Sequence, residues 1–289
     1  FKIEKDFEDL ADFTSRFPFP LTSAQEKSIK SILSDFKRGH PMSRLLEGDV
    51  GSGKTAVAAS VAYATVTTRP TDKDFGNLQV AYMAPTEILA EQHFQSFIEH
   101  FTGSGMQIGL ITGSGCKKFP SKLNPQGSTT ISRAQLLKWV ENGEIPILIG
   151  THTLIQKSVK FKYLAFVVID EQHRFGTAQR QKFRERTGIL PHLLSMTATP
   201  IPRTLALTVY GDLDLSLLDE LPVGRKLPIT EIVSPNGRKG IYEKVRREIQ
   251  TGRQVFIICP RIDEPDPDKE LAVQAKSVKE EAKRLKKEI

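Results

Sequence analysis

The string Gly48-Asp-Val-Gly-Ser-Gly-Lys-Thr55 lies between the apolar pair Leu45-Leu46 and the alanine-rich run Thr55-Ala-Val-Ala-Ala-Ser-Val-Ala-Tyr-Ala64. This context leaves few ways to fold: a strand must enter a tight turn and leave it as a helix. Gly48, Gly51 and Gly53 permit backbone conformations and close approaches that a Cβ would block. Successive N–H groups then line a concave turn, and the helix starting near Lys54 adds the positive end of its dipole. The full G-x-x-x-x-G-K-[ST] pattern predicts a phosphate cradle built from Gly48, Asp49, Val50, Gly51, Ser52, Gly53, Lys54 and Thr55. Lys54 is expected to reach the outer phosphates and the Thr55 hydroxyl to face Mg²⁺. A glycine turn before an ordinary helix is the competing reading, and the complete motif in a strand-to-helix context argues against it.

A second string, Val167-Val-Ile-Asp-Glu-Gln-His173, is an apolar strand ending in two carboxylates. Such an end, here Asp170-Glu171, is the usual place to hold a nucleotide's magnesium. Together the two strings imply an ATP-driven machine with ATP and Mg²⁺ as its cofactors.

The segments between them alternate. A helix is predicted over 24–37, with Thr22 or Ser23 as N-cap, and buried strands over 78–84, 108–112, 145–149, 166–169 and 193–197. Continuous apolar strands separated by helices indicate an α/β fold with a parallel sheet covered on both faces. Residues 103–127, rich in Gly, Ser, Pro and Lys, read as a surface loop or insertion. A Pro/Gly linker near 221–228 precedes a second unit, predicted as strand 229–233, helix 239–250, strand 254–259, a loop and helix 269–289. The expected domains are therefore 1–220 and a partial 221–289.

Composition narrows the class. The 39% hydrophobic and 26% charged residues are those of an ordinary soluble protein, and no run of 18 apolar residues suggests a membrane span. No signal core is visible at Phe1, and Cys116 and Cys259 lack metal spacing, so a reduced, cytoplasmic setting is expected. The net charge of +7, concentrated beyond residue 220, suits a phosphate-backbone partner but equally a solvated helix face.

Several strings together carry a resemblance. They include Pro20-Leu-Thr-Ser-Ala-Gln25, Arg44-Leu-Leu-Glu-Gly-Asp-Val-Gly-Ser-Gly-Lys-Thr55, Ala84-Pro-Thr-Glu-Ile-Leu-Ala-Glu-Gln-His93 and Gly150-Thr-His-Thr-Leu-Ile-Gln156. Val168-Ile-Asp-Glu-Gln-His-Arg-Phe-Gly176, Met196-Thr-Ala-Thr-Pro-Ile-Pro-Arg-Thr-Leu-Ala206, Asp219-Glu-Leu-Pro-Val-Gly-Arg225 and Gly252-Arg-Gln-Val-Phe-Ile-Ile-Cys-Pro260 follow in order. The chain resembles superfamily 2 helicase motors, and within them the RecG family of bacterial branch-migrating DNA helicases. The motor of the transcription-repair coupling factor is the nearest alternative. Its acidic box usually departs from Asp-Glu-Gln-His.

The resemblance implies a RecA-like motor domain, the start of a second one, and ATP-dependent action on branched or forked DNA in recombination and repair, by a monomer. It implies that Gln25 reads adenine, with an amide that donates and accepts at once. It further implies that Asp170 holds Mg²⁺ beside Thr55, that Glu171 orients and deprotonates the attacking water, and that Gln172 and His173 link the nucleotide site to Thr197-Ala-Thr199. Pro85, Thr86, Gly150, Thr151, His152 and Arg203 would contact DNA phosphates without reading sequence. Glu47 departs from the family's usual Gln, and the 113–143 segment is longer than the family pattern. The later Gln-x-x-Gly-Arg-x-Gly-Arg string, which supplies arginine fingers, is not in these 289 residues. The chain by itself is thus expected to bind Mg-nucleotide weakly, turn it over near background and not unwind DNA. A non-helicase P-loop ATPase, an RNA helicase and an inert binding module are the rival readings.

Overall fold

The structure, a computed structural model, describes residues 1–71, 73, 75–122, 124–171, 190–199, 214–220, 229–259 and 277–288. The chain divides into two compact units, Phe1–Arg225 and Lys226–Ile289.

The first unit is built on a nine-stranded sheet of β1 (Ser43–Gly48), β2 (Gln79–Met83), β3 (Ile108–Ile111), β4 (Cys116–Phe119), β5 (Thr129–Thr130), β6 (Ile147–Gly150), β7 (Leu164–Ile169), β8 (His192–Thr197) and β9 (Asp214–Leu218). Their order is β5-β4-β3-β6-β2-β7-β8-β1-β9. Every pairing from β3 to β9 is parallel, and only β4 and β5 run antiparallel at one edge. Helices α1 (Ala11–Thr14), α2 (Ser23–Phe36), α3 (Lys54–Val66), α4 (Glu87–Phe101) and α5 (Arg133–Asn142) complete the described part of this unit.

Side-chain alternation explains the two layers. Val80, Tyr82, Phe166 and Val168 join one core with residues of α1 to α4, whereas Ala81, Met83, Val167 and Ile169 join a second with Leu136 and Val140 of α5. The parallel strands are buried on both faces, which is why they read as unbroken apolar runs. Helix α3 is buried almost all round, and its alanines let it lie close against the sheet. Helix α2 starts with a capping box: Gln25 N–H donates to Thr22 Oγ1, and Thr22 N–H donates to Gln25 Oε1.

Two buried polar joints were not foreseen. Gln79, fully buried, donates to the carbonyls of Val140 and Ile145 and accepts from the N–H groups of Lys162 and Tyr163, so its amide is satisfied on both atoms. Arg44 donates to Asp35 Oδ2 at 2.7 and 2.8 Å and to Ser216 Oγ at 2.9 Å, tying β1 to α2 and β9.

The structure corrects the sequence reading in two places. Part of 103–127 is not a surface loop: besides β3, foreseen as the strand over 108–112, β4 lies within it, with Cys116 and Phe119 buried and Lys117 and Lys118 half-exposed. Four residues were too short a pattern against Gly-, Ser- and Lys-rich surroundings, and lysines suit a strand near a sheet edge. In the second unit, 229–233 and 254–259 are not strands. Ile229, Ile232, Phe256 and Ile258 are exposed, and an apolar pattern forms a strand only when a neighbour supplies the ladder. The described helices of that unit are α6 (Arg238–Gln250) and α7 (Val278–Glu288), joined by a hydrogen bond from Tyr242 to Glu281 at 3.2 Å. Residues 269–276 of the expected last helix lie outside the described residues.

His192 gives this fold a pH signature. It starts β8, is 2% exposed, accepts the Met42 N–H at Nδ1 and donates from Nε2 to the Phe1 carbonyl. Burial pushes its pKa from 6.5 down to about 4, against the bond to Phe1. The unfolded chain takes up a proton below pH 6.5 that the folded chain refuses, so stability is complete above that value and declines toward pH 4. The loss is about 3 kcal/mol. In chemical unfolding across this range, His192→Asn should show a shallower decline than the parent, because an amide keeps the acceptor for Met42 and does not titrate. Identical slopes would contradict this account.

Candidate nucleotide-binding site

The parallel ladder places three chain segments at one edge of the sheet. β7, β8 and β1 are successive neighbours, with Ile169 opposite Ser195 and Glu47 opposite Thr197. The turn after Gly48, the Thr197-Ala-Thr199 segment and Asp170-Glu171 therefore leave the sheet side by side, at the carboxyl ends of parallel strands.

The turn is shaped by contacts that only glycine permits. Gly51 and Gly53 have φ of 79° and 87°. A Cβ on Gly48 would fall 2.5 Å from Ser52 Oγ, and one on Gly53 would fall 2.1 Å from Gln25 Nε2. The Asp49 carboxylate accepts the Val50 N–H at 2.7 Å, and both residues are exposed. Ser52 Oγ is buried with no hydrogen-bond partner among the described residues. Lys54 Nζ donates to the carbonyls of Gly48 at 2.6 Å and Asp49 at 3.0 Å. Partial burial lowers the Lys54 pKa, while Asp170, Glu171 and Asp49 act to raise it. The amine therefore lies within the field of the acidic box.

Asp170 ends β7, with its N–H donated to the Met83 carbonyl. Its Oδ1 accepts the Glu171 N–H at 3.1 Å, and its Oδ2 accepts from His93 Nε2 at 2.7 Å. Glu171 has φ of 53°, a left-handed conformation rare for a residue with a Cβ and frequent at functional turns. Thr197 and Thr199 face each other with hydroxyls 3.0 Å apart, and Thr199 N–H donates back to Thr197 Oγ1. Thr55 is the first residue after the lysine, in the first turn of α3. The Thr55 hydroxyl and the Asp170 carboxylate are hard oxygen donors of the kind a small divalent cation takes.

The remaining predicted positions fare differently. Gln25 is fully buried, and its Nε2 donates to the Ser52 carbonyl at 2.7 Å while its Oε1 serves the capping box. Its amide is thus engaged with the turn and the start of α2, leaving one N–H and one lone pair for any other partner. Thr86 is exposed and caps α4 by accepting the Leu89 N–H, and Pro85 beside it is half-exposed. His152 is exposed. Thr151 differs from expectation: it is 5% exposed and its hydroxyl meets Thr153 Oγ1 at 2.8 Å, so that hydroxyl is turned inward. Gly150 is needed for packing, since a Cβ there would lie 2.4 Å from the Ile111 carbonyl oxygen. Gln172, His173 and Arg203 lie outside the described residues.

Sequence reasoning missed three residues. Tyr82 and His93 reach the site from β2 and α4, and no spacing along the chain announces that Asp170 is their neighbour. Glu220 accepts from the Ser23 hydroxyl at 2.5 Å and from the Ala24 N–H at 3.3 Å, which places a carboxylate at the start of α2. Those bonds, Ser23 first, lower its pKa.

A parallel sheet with a lysine-bearing glycine turn and an acidic box at adjacent strand ends defines a RecA-like helicase domain, and the chain belongs to the DEAD/DEAH box helicase family, whose model matches residues 22–208. Among curated relatives, the ATP-dependent DNA helicase RecG of Aquifex aeolicus (strain VF5) is 44% identical over 287 residues, covering 99% of this chain and 33% of the relative. RecG of Bacillus subtilis (strain 168) is 46% identical over 259 residues, covering 90% and 35%. The chain thus spans about a third of the length of these relatives. A solved structure of RecG bound to a three-way DNA junction matches with a TM-score of 0.69 and 37% identity, covering 87% of this chain and 31% of that one. The UvsW helicase of bacteriophage T4 shares the fold at 15% identity, with a TM-score of 0.50, covering 75% of this chain and 68% of that one. The expected RecG resemblance and RecA-like sheet are both borne out.

The Gly53–Gln25 contact can be tested directly. Gly53→Ala introduces a Cβ at positive φ and against the Gln25 amide, and should cost at least about 1 kcal/mol of stability. Removing the amide relieves the clash but not the backbone strain, so Gly53→Ala combined with Gln25→Ala should destabilise by less than the two singles added together. Thermal unfolding of the four proteins measures this, and strict additivity would show that the contact is not as described.

Proposed function

We propose that the chain carries the ATP-binding motor of a DNA helicase that acts on branched or forked DNA, with 1–220 as its first RecA-like domain and 221–289 as part of a second. One observation supports the nucleotide site above all others: the Lys54 amine sits inside the glycine turn and within the field of Asp170 and Glu171. RecG relatives, one of them solved on a three-way junction, support the DNA substrate and favour this reading over a transcription-repair coupling motor.

In this reading ATP is the substrate, and its phosphates replace the carbonyls of Gly48 and Asp49 as partners of Lys54. The N–H groups of 49–54 and the dipole of α3 hold the phosphate oxygens, and the orphan Ser52 hydroxyl gains a partner. Thr55 and Asp170 hold Mg²⁺, which when bound neutralises charge on the phosphates. Glu171 orients the attacking water and takes its proton. Gln25 joins the adenine side to the turn through its bond to Ser52, and Gln172 and His173 connect the acidic box with Thr197-Ala-Thr199.

DNA phosphates are contacted at strand ends by Pro85, Thr86, Gly150, Thr151, His152 and Arg203. The buried Thr151 hydroxyl shifts that role toward its backbone, with the exposed Thr86 and His152 supplying side chains. Such contacts position a strand without reading its sequence. A cytoplasmic monomer fits this work, and no described helix is long and apolar enough to cross a membrane.

Two substitutions separate binding from chemistry. Lys54→Ala should weaken binding of a fluorescent ATP analogue with Mg²⁺ by at least about tenfold, since the phosphates lose their cation. Glu171→Gln should retain that affinity and lose about 10²-fold or more in single-turnover hydrolysis, measured with protein in excess so that slow rates are read. Unchanged affinity in Lys54→Ala would overturn the assignment of the site.

A further inference from the structure

One of the residues assigned to the metal is held by side chains that play no part in the reading above. Asp170 Oδ2 meets His93 Nε2 at 2.7 Å, and His93 Nδ1 meets the Tyr82 hydroxyl at 3.2 Å. The result is a continuous path from β2, through α4, to the residue that follows β7. A carboxylate can only accept, so His93 Nε2 carries the proton toward Asp170 and the phenol completes the path at Nδ1.

The surroundings make this path rigid. Tyr82 is fully buried, with its ring 5.2 Å from Phe97 and 4.7 Å from His93. The side chains of His93 and Asp170 are only 12% and 10% exposed. Asp170 has its other oxygen occupied by the Glu171 N–H, so both of its oxygens are oriented before any ligand arrives. An incidental surface pair would not be this buried, nor backed by a fully buried tyrosine on the histidine's other nitrogen.

We propose that His93 and Tyr82 are positioning residues for the metal end of the nucleotide site: His93 fixes the Asp170 carboxylate, and Tyr82 fixes the His93 ring that holds it. The proposal rests on the nucleotide reading and adds to it the residues that aim the Asp170 carboxylate. Neither side chain touches nucleotide, so their effect is on the gain in nucleotide affinity that Mg²⁺ brings and not on the metal-free affinity. Outer groups that orient metal ligands commonly have this effect.

The test is a titration of the protein with a fluorescent ADP analogue, in excess EDTA and across a range of Mg²⁺ concentrations. The parent should bind more tightly with Mg²⁺, and Asp170→Asn should lose that gain. His93→Phe keeps a ring in the packing and removes both nitrogens, and should cut the Mg²⁺-dependent gain by about tenfold with the EDTA affinity unchanged. His93→Gln, whose amide can still donate to Asp170, should recover most of the gain, and Tyr82→Phe should fall between parent and His93→Phe. Should His93→Phe melt below the assay temperature, Tyr82→Phe and His93→Gln carry the comparison. An equal Mg²⁺ gain in parent, His93→Phe and Tyr82→Phe overturns the proposal alone. A parent that shows no Mg²⁺ gain, and matches Asp170→Asn, overturns the nucleotide reading and the proposal with it.

Discussion

Backbone pairing among β7, β8 and β1 governs where every functional group of the first unit lies. The three strands are parallel and in fixed register, so the segments that follow them emerge at one edge of the sheet. A parallel strand shifted by one residue would exchange its buried faces, placing Val167 and Val168 in the wrong cores. The register is thus held by packing on both sides, and the glycine turn, the paired threonines and the acidic box inherit their proximity from it.

The same packing explains why the turn can be shaped before a ligand arrives. Helix α3 is anchored by alanines and valines against the sheet, and α2 lies against α3 with its capping glutamine reaching the turn. Gln25 closes a small circuit: it completes the cap of α2, holds the Ser52 carbonyl, and fills the space beside Gly53 that a larger residue would need. A buried amide bonded through both its oxygen and its nitrogen is costly to misplace, so it fixes both partners. On the other side, His93 does the equivalent for Asp170, with Tyr82 bonded behind it. The site is therefore framed by polar joints from α2 and α4, while the apolar layers set their height.

Much of this was legible in the sequence. The glycine string between an apolar strand and an alanine helix dictates its own geometry, and the strands foreseen in the first unit are all present because burial on both faces leaves unbroken apolar runs. The short strand β4 was hidden, because two lysines in four residues look like loop. The strand expectations at 229–233 and 254–259 failed for a different reason: an apolar pattern records what a segment can pair with, not whether the pairing is made. Within the site, local motifs announced themselves and long-range partners did not. Lys54 and Asp170 could be named from their strings, but the bonds from His93 to Asp170 and from Gln25 to Ser52 join residues 77 and 27 positions apart. Thr151 shows the converse, since its string identified the segment and not the direction of its side chain.

The central claim is that the turn at 48–55 and the acidic residues 170 and 171 form a single ligand site. Hydrogen exchange of backbone amides, with and without a non-hydrolysable ATP analogue and Mg²⁺, tests it most directly. The account predicts that protection rises together in peptides covering 48–55 and 168–171, with little change in β4 and α5 on the far side of the sheet. Protection confined to one of the two segments, or centred elsewhere, would contradict it.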